Sequence, residues 1–175
     1  MPALGRAPAC AGRMRASDTL KLMVEAYAQW TDGERFLTGS GSGHALAVDA
    51  DRERNTAPGP MELVLMGLCS CTATDVALIL RKKRQPFAHL RVEAKAERAP
   101  EPPTVFTAIH LTYRITAASP ASPERAAVER AVQLSQEKYC GVAAMLKKTA
   151  AITWDVVLDA GPGSEVDAAP AKAAR

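Results

Sequence analysis

The sequence predicts an α+β domain in which helices lie on antiparallel sheets. Three observations support this class: short alternating segments come first, one long apolar helix follows, and further alternating segments with short helices complete the chain. The chain has 175 residues, of which 47% are hydrophobic. This is enough for one core of ordinary size, so we expect one domain over residues 20–159. The stretch 160–175, poor in bulky apolar residues, is expected to be disordered, and the extension 1–19 is expected either to be disordered or to result from a start codon assigned too early.

The first part of the domain, residues 20–49, is typical of an antiparallel meander. Its three strand-like stretches are LMVEAYAQW, ERFLTGS and HALAVDA. Turn signals separate them, Asp32 with Gly33 in the first case and GSGSG in the second. A polar loop over 51–60 then leads to the long helix.

That helix is predicted over residues 61–83. Pro60 suits the first helical position, Glu62 lies in the first turn, and the basic run at 81–84 closes the last turn. Apolar side chains occur nearly all the way round, which indicates a central helix covered on several sides. Because Asp75 would place a charge near its middle, we interpret it as a buried helix and not as a membrane span.

Two further strands are predicted at residues 89–98 and 104–116, joined by a hairpin at APEPP. The second strand is expected to place six side chains on one face: Val105, Thr107, Ile109, Leu111, Tyr113 and Ile115. A second helix is predicted from Ser122 and Pro123. KYCGVAAMLKKTA adds a short helix that begins at Cys140, and residues 152–158 supply the last strand.

Charge and targeting signals exclude some classes of function. A net charge of +3 gives no argument for nucleic-acid binding. The opening MPALGRAPACAGRMR is rich in arginine but lacks the apolar segment of a secretory signal, so we expect a cytoplasmic protein. Its four cysteines are then expected to be reduced thiols, and any disulfide to be transient and catalytic.

The motif CSC at 69–71 places two thiols in the predicted central helix. Two residues correspond to about 200° of helical rotation, so Cys69 and Cys71 point to nearly opposite faces and cannot pair with each other. Glu62 precedes Cys69 by two helical turns, so the two side chains are expected on the same face of the helix. The sequence shows no activating cation near Cys71. Its neighbour on the same helix face, four residues later, is the acid Asp75.

The late cysteine has a different setting. A thiol reacts as its thiolate, which a helix N-terminus or a basic neighbour favours. Cys140 lies near the predicted start of a helix, with Lys138 close by and Lys147 two turns on. A zinc site made by Cys69, Cys71, Cys140 and a histidine is an alternative, although a C-x-C motif on a helix directs its sulfurs apart.

Two stretches carry a family resemblance: PGPMELVLMGLCSCTATDVALIL and, about seventy residues later, LSQEKYCGVAAML. They resemble the OsmC/Ohr family of osmotically induced and organic hydroperoxide resistance proteins, in particular its OsmC-like bacterial branch. The resemblance covers about residues 30–157. In that family a Pro-x-Glu precedes the first cysteine, with about nine residues from Glu to Cys, so the matching residues are Glu62 and Cys71. The second cysteine opens a late helix and matches Cys140.

The resemblance implies an intertwined homodimer with two sites at the subunit interface. It also implies a peroxidase for organic hydroperoxides with neither metal nor cofactor. The Cys71 thiolate attacks a peroxide oxygen, becomes a sulfenic acid, and condenses with Cys140 to a disulfide that an external dithiol reduces. An arginine of the N-terminal sheet stabilises the thiolate and is held by the glutamate; the candidates are Arg35 and Glu62. The alternative is a dimeric module that binds an apolar or sulfur-containing small ligand without turnover.

Overall fold

The computed structural model describes residues 24–118 and 121–159, so the predicted extensions 1–19 and 160–175 lie outside the described residues. The chain order is β1 (Ala26–Asp32), β2 (Arg35–Ser40), β3 (Ala45–Asp49), α1 (Pro60–Lys82), β4 (Phe87–Arg98), β5 (Phe106–Ala117), α2 (Arg125–Leu134), a π-helix (Ser135–Tyr139), α3 (Gly141–Leu146) and β6 (Ala151–Asp159). The predicted α+β class is confirmed.

The N-terminal sheet is the predicted meander, with strand order β1-β2-β3 and antiparallel pairing throughout. Gly33 adopts a φ of 52° in the turn between β1 and β2, a conformation that glycine reaches without steric cost. Several large apolar side chains of this sheet are exposed: Tyr27, Trp30, Leu37 and Leu46. A single chain therefore leaves apolar surface of this sheet uncovered.

The second sheet has the order β4-β5-β6 and carries the core. Strands β4 and β5 form the predicted antiparallel hairpin, whereas β6 pairs parallel to β5. A parallel neighbour requires a crossover connection, and α2, the π-helix and α3 supply it. Buried side chains of β5, α1 and α2 meet in one cluster, among them Ile109, Leu111, Tyr113, Ile115, Leu68, Val76, Leu80, Val128 and Val132.

The prediction that six side chains share one face of β5 is wrong at the beginning of the strand. Val105 and Thr107 are exposed, and Phe106 between them is buried with 4% exposure. The pairing of β4 with β5 shifts register between Glu97 and Arg98 and passes over Thr107. One extra residue in a strand reverses the alternation on either side of it, which is why the pattern holds only after this bulge.

Helix α1 begins and ends one residue before the predicted bounds. Its buried side chains, Leu68, Thr72, Val76 and Leu80, recur every four residues and form one stripe. Met66 and Leu78, on the opposite side of the helix, are 52% and 58% exposed. Within the described part of a single chain α1 is covered by β4, α2, the π-helix and α3, and one stripe that includes Met66 and Leu78 stays exposed.

By length and composition alone, α1 could also cross a membrane, a test that the core helix of a soluble protein passes as well. Its packing against one sheet and three helical segments supports its interpretation as a core helix.

Candidate functional site

Three reactive side chains meet between α1 and the start of α3. The sulfurs of Cys71 and Cys140 and a carboxylate oxygen of Asp75 all lie within 4.8 Å of one another. Cys71 and Asp75 are half-buried and one helical turn apart on α1, whereas Cys140 is 3% exposed and caps the N-terminus of α3. The fold thus brings together two cysteines that are about seventy residues apart in the sequence.

Cys69 lies in different surroundings. It lines a groove of about 560 Å³ together with apolar residues of α1 and β4, among them Leu65, Met66, Val92 and Ala94. Burial raises the pKa of the Cys69 thiol, and the negative charge of Glu93 raises it further. The two thiols of the CSC motif therefore lie on different sides of α1, and Cys71 is the one that lies beside Cys140.

The thiol of Cys140 is held in its neutral form. Its pKa is raised to about 11, with burial as the largest cause, and the backbone N–H of Ala143, 3.4 Å from the sulfur, opposes that rise. The neighbouring Cys71 and the negative charge of Asp75 contribute to the same rise. At neutral pH this thiol is almost entirely protonated, so it needs a proton acceptor before it can attack.

The lysines that the sequence places near Cys140 do not lower its pKa. The ammonium of Lys138 lies 5.5 Å from the centre of the Tyr139 ring. The ammonium of Lys147 donates to the backbone carbonyl of Gln136 at 2.5 Å. The expectation of an activating basic environment at Cys140 is wrong, because burial outweighs every favourable contact there.

A π-helix that the sequence analysis missed leads directly to Cys140. The backbone N–H of Cys140 donates to the carbonyl of Ser135 at 2.9 Å, five residues back, which is the π-helical spacing. The turn holds the side chains of Ser135 and Gln136 buried. In the sequence, the signal for these buried side chains is that two polar residues, Ser135 and Gln136, come directly after the apolar residues of α2.

Those two side chains complete a buried polar network. The hydroxyls of Tyr113 and Thr72 are 2.6 Å apart, those of Thr72 and Ser135 are 2.8 Å apart, and Ser135 donates to Asp75 Oδ2 at 2.9 Å. The Gln136 amide donates to Tyr113 at 2.9 Å and to Thr72 at 3.2 Å. Burial raises the pKa of Tyr113 to about 12, so its hydroxyl remains a donor.

Arg35 and Glu62 make their contacts elsewhere in the chain. The Arg35 guanidinium lies 3.7 Å from the carboxylate of Asp32 in the N-terminal sheet. The Glu62 carboxylate accepts the backbone N–H of Gly59 at 2.7 Å and so caps α1. Within the described part of one chain, neither belongs to the cluster around Cys71. The activating role that the resemblance implies for them stays a prediction.

The cluster also contains the donor types of a metal site. Of the four ligands that the zinc alternative requires, the cluster brings together Cys71 and Cys140, and among the described residues it contains no histidine. Cys69, which the zinc alternative included, is not one of the three.

The model of the OsmC-like protein family matches residues 53–155. The chain belongs to the OsmC family. Both cysteines of the cluster lie inside the matched segment. Membership in this family supports a redox role in general terms.

Relatives and solved structures agree with this assignment. YhfA of Escherichia coli K12 is 46% identical over 83 residues, 47% of this chain, and the match spans only 60% of the length of YhfA. A hypothetical protein from Aquifex aeolicus is 30% identical with a TM-score of 0.66, covering 78% of this chain and 98% of that one. An organic hydroperoxide resistance protein OsmC from Legionella pneumophila, 14% identical, covers 79% of this chain and 98% of its own with a TM-score of 0.57, so it shows likeness of fold alone.

Proposed function

We propose that this OsmC-family protein is a thiol peroxidase that reduces organic hydroperoxides. The observation that carries the proposal is the placement of the Cys71 and Cys140 sulfurs within 4.8 Å of each other. In the first step the Cys71 thiolate bonds to one peroxide oxygen, the O–O bond breaks, and the other oxygen leaves as an alcohol with one proton. Cys140 then displaces hydroxide from the sulfenic acid to give a disulfide and water. An external dithiol restores both thiols.

The different environments of the cysteines support this division of roles. Cys71 is half-buried, so a hydroperoxide can reach it, whereas Cys140 is 3% exposed. Burial also keeps Cys140 protonated, with a pKa of about 11, which suits a thiol that acts second on a sulfur already beside it. The apolar residues packed around Cys71 favour an alkyl hydroperoxide over hydrogen peroxide.

We further propose that the working form is a homodimer. Exposed apolar side chains on the N-terminal sheet, such as Trp30 at 63%, and on α1, such as Leu78 at 58%, provide surfaces that a second copy could bury. In such a dimer Arg35 and Glu62 could approach a Cys71 thiol across the interface. We place the activity in the reducing cytoplasm, where an external dithiol can regenerate the thiols.

Replacing the candidate activating arginine tests this arrangement. We expect Arg35→Ala to slow oxidation of Cys71 by about tenfold or more, the effect of one nearby opposite charge on a thiolate. The rate is measured by stopped-flow under single turnover. Arg54→Ala is the matched control, because Arg54 also pairs with Asp32, at 3.4 Å, and lies in the loop before α1. Equal rates for both variants and the unmodified protein would remove Arg35 from the site.

The function itself is tested by mass spectrometry after one equivalent of cumene hydroperoxide. We expect the protein to lose two hydrogens and a single peptide pair to join Cys71 to Cys140. A protein that stays unmodified, or a disulfide that involves Cys69, contradicts the proposal.

Binding without turnover is the second candidate. The groove beside Cys69, about 560 Å³ in volume, has an apolar side made by Leu65, Met66, Val92 and Ala94 and a polar side that includes Glu62, and burial keeps the Cys69 thiol neutral. These features suit an apolar small ligand. A protein that ignores hydroperoxide yet protects Cys69 from alkylation when an alkyl thioether is added would favour this candidate.

A further inference from the structure

We propose that Asp75 is the proton carrier of the resolving step, in which Cys140 attacks the sulfenic acid on Cys71. This inference rests on the proposed peroxidase function. Asp75 would take the proton from the Cys140 thiol and deliver it to the hydroxyl that leaves Cys71.

The position of the carboxylate supports this role. One oxygen of Asp75 lies within 4.8 Å of both sulfurs, so the same group faces the thiol that loses a proton and the site where hydroxide departs. Asp75 is half-buried and reaches the cluster from the same face of α1 as Cys71. A single side chain can therefore serve both ends of the transfer.

The direction of the hydrogen bonds in the polar network supports it independently. Ser135 has one hydroxyl proton, and it goes to Asp75 Oδ2. The contact between Thr72 and Ser135 must then use the proton of Thr72, and the contact between Tyr113 and Thr72 must use the proton of Tyr113.

The Gln136 amide donates at the head of this chain, to Tyr113 and to Thr72. Every donor in this series of hydrogen bonds thus points towards Asp75. This direction keeps the Asp75 carboxylate as the acceptor and fixes its Oδ2 in place. Among the described residues Oδ1 accepts no hydrogen bond, so it is the oxygen available to receive a proton.

The chemistry of the second step requires such a group. The Cys140 thiol is buried and protonated, and hydroxide is a poor leaving group from sulfur unless it receives a proton. Transfer through Asp75 meets both needs. The S–H proton moves to Asp75, the S–S bond forms as the S–O bond breaks, and the same proton reaches the departing oxygen as water forms. Asp75 ends the step as the carboxylate it was at the start.

The charged and titratable groups around Cys140 lie on α1, on β5 and at the end of α3. Cys71 and Asp75 face it from α1 and Tyr113 from β5, and Lys147 lies just after α3. Burial keeps Tyr113 protonated at a pKa of about 12, and the Lys147 ammonium is bound to the carbonyl of Gln136. Asp75 is therefore the carboxylate placed to accept the Cys140 proton.

The test is Asp75→Asn, studied in single turnover with one equivalent of cumene hydroperoxide. Formation of the sulfenic acid, trapped with dimedone, should not slow, because the variant removes a negative charge within 4.8 Å of the attacking sulfur, whereas disulfide formation should slow by about 100-fold, the effect of losing one general base. In the variant the slow step should accelerate by about tenfold for each pH unit, because it then depends on the small thiolate fraction of Cys140. The unmodified protein should show a weaker dependence.

If Asp75 acted only through its charge, Asp75→Asn would speed disulfide formation and not slow it. The charge of Asp75 raises the pKa of Cys140, so its removal would increase the thiolate fraction and speed the step if Asp75 acted only as a charge. Resolution at the original rate or faster therefore overturns the inference. Asp155→Asn, an exposed acid of β6, is the matched control and should change neither step.

A second variant allows the inference to be tested even if Asp75→Asn fails to fold. Ser135→Ala keeps the carboxylate and removes only the hydroxyl that orients it, so it should slow disulfide formation by a smaller factor of about tenfold. If Asp75→Asn fails to fold, an unchanged rate in Ser135→Ala overturns the inference. If the unmodified protein forms no sulfenic acid at all, the peroxidase proposal itself has failed.

Discussion

The Cys71→Ser protein is expected to consume no organic hydroperoxide. A serine hydroxyl has no accessible anion at neutral pH, and no other thiol in the described residues combines partial exposure with a neighbouring resolving cysteine. Remaining cumene hydroperoxide is measured over time with an excess of dithiothreitol. The decay should match that of buffer with dithiothreitol alone.

The matched control for this variant is two residues away on the same helix. Cys69→Ser should keep its rate of turnover, because its side chain faces the groove of α1 and β4 and not the cluster. It should lose about 1 kcal/mol of unfolding free energy if the new hydroxyl finds no partner. Should Cys69→Ser be the inactive protein while Cys71→Ser turns over, the assignment of the attacking cysteine is wrong.

The Cys140→Ser protein is expected to react once and then stop. Cys71 can still attack the peroxide, but among the described residues no second thiol is then left beside it to displace hydroxide from the sulfenic acid. Titration should show consumption of about one equivalent per chain. Intact-mass analysis should show one added oxygen, followed by further oxidation when peroxide is in excess.

The result that would contradict this prediction is steady turnover of Cys140→Ser with dithiothreitol at the original rate. Cys140 would then be a buried structural cysteine, and the dithiol would reduce the sulfenic acid directly.

Local sequence patterns were sufficient to predict most of the fold. The alternation in β4 and β5, the charge placement at the ends of α1 and the turn signals of the first sheet each act over a few residues, and each is observed. Helical geometry also predicted that Cys69 and Cys71 have different surroundings. The failure at Phe106 arose from a bulge, which depends on pairing with a strand elsewhere in the chain.

The polar part of the site could not be predicted in the same way. The partners of Thr72 lie 41 and 63 positions away, at Tyr113 and Ser135, so its burial in a hydrogen-bonded network depends on tertiary packing. In the sequence Asp75 is only an acid on the face of Cys71. At Cys140 sequence proximity was misleading, because neighbouring lysines make other contacts while burial determines the pKa.

The parallel pairing of β6 with β5 has a consequence for the order of assembly. Cys71 belongs to a helix that precedes the β4–β5 hairpin, and Cys140 lies in the crossover whose far end is fixed only when β6 joins the sheet. Contacts of such long range are completed late in folding, because chain entropy opposes them until the local elements exist. A chain still emerging from the ribosome therefore keeps its two thiols apart. Their pairing is a property that arises only with the finished tertiary structure, and an oxidant that meets the unfinished chain encounters separate cysteines.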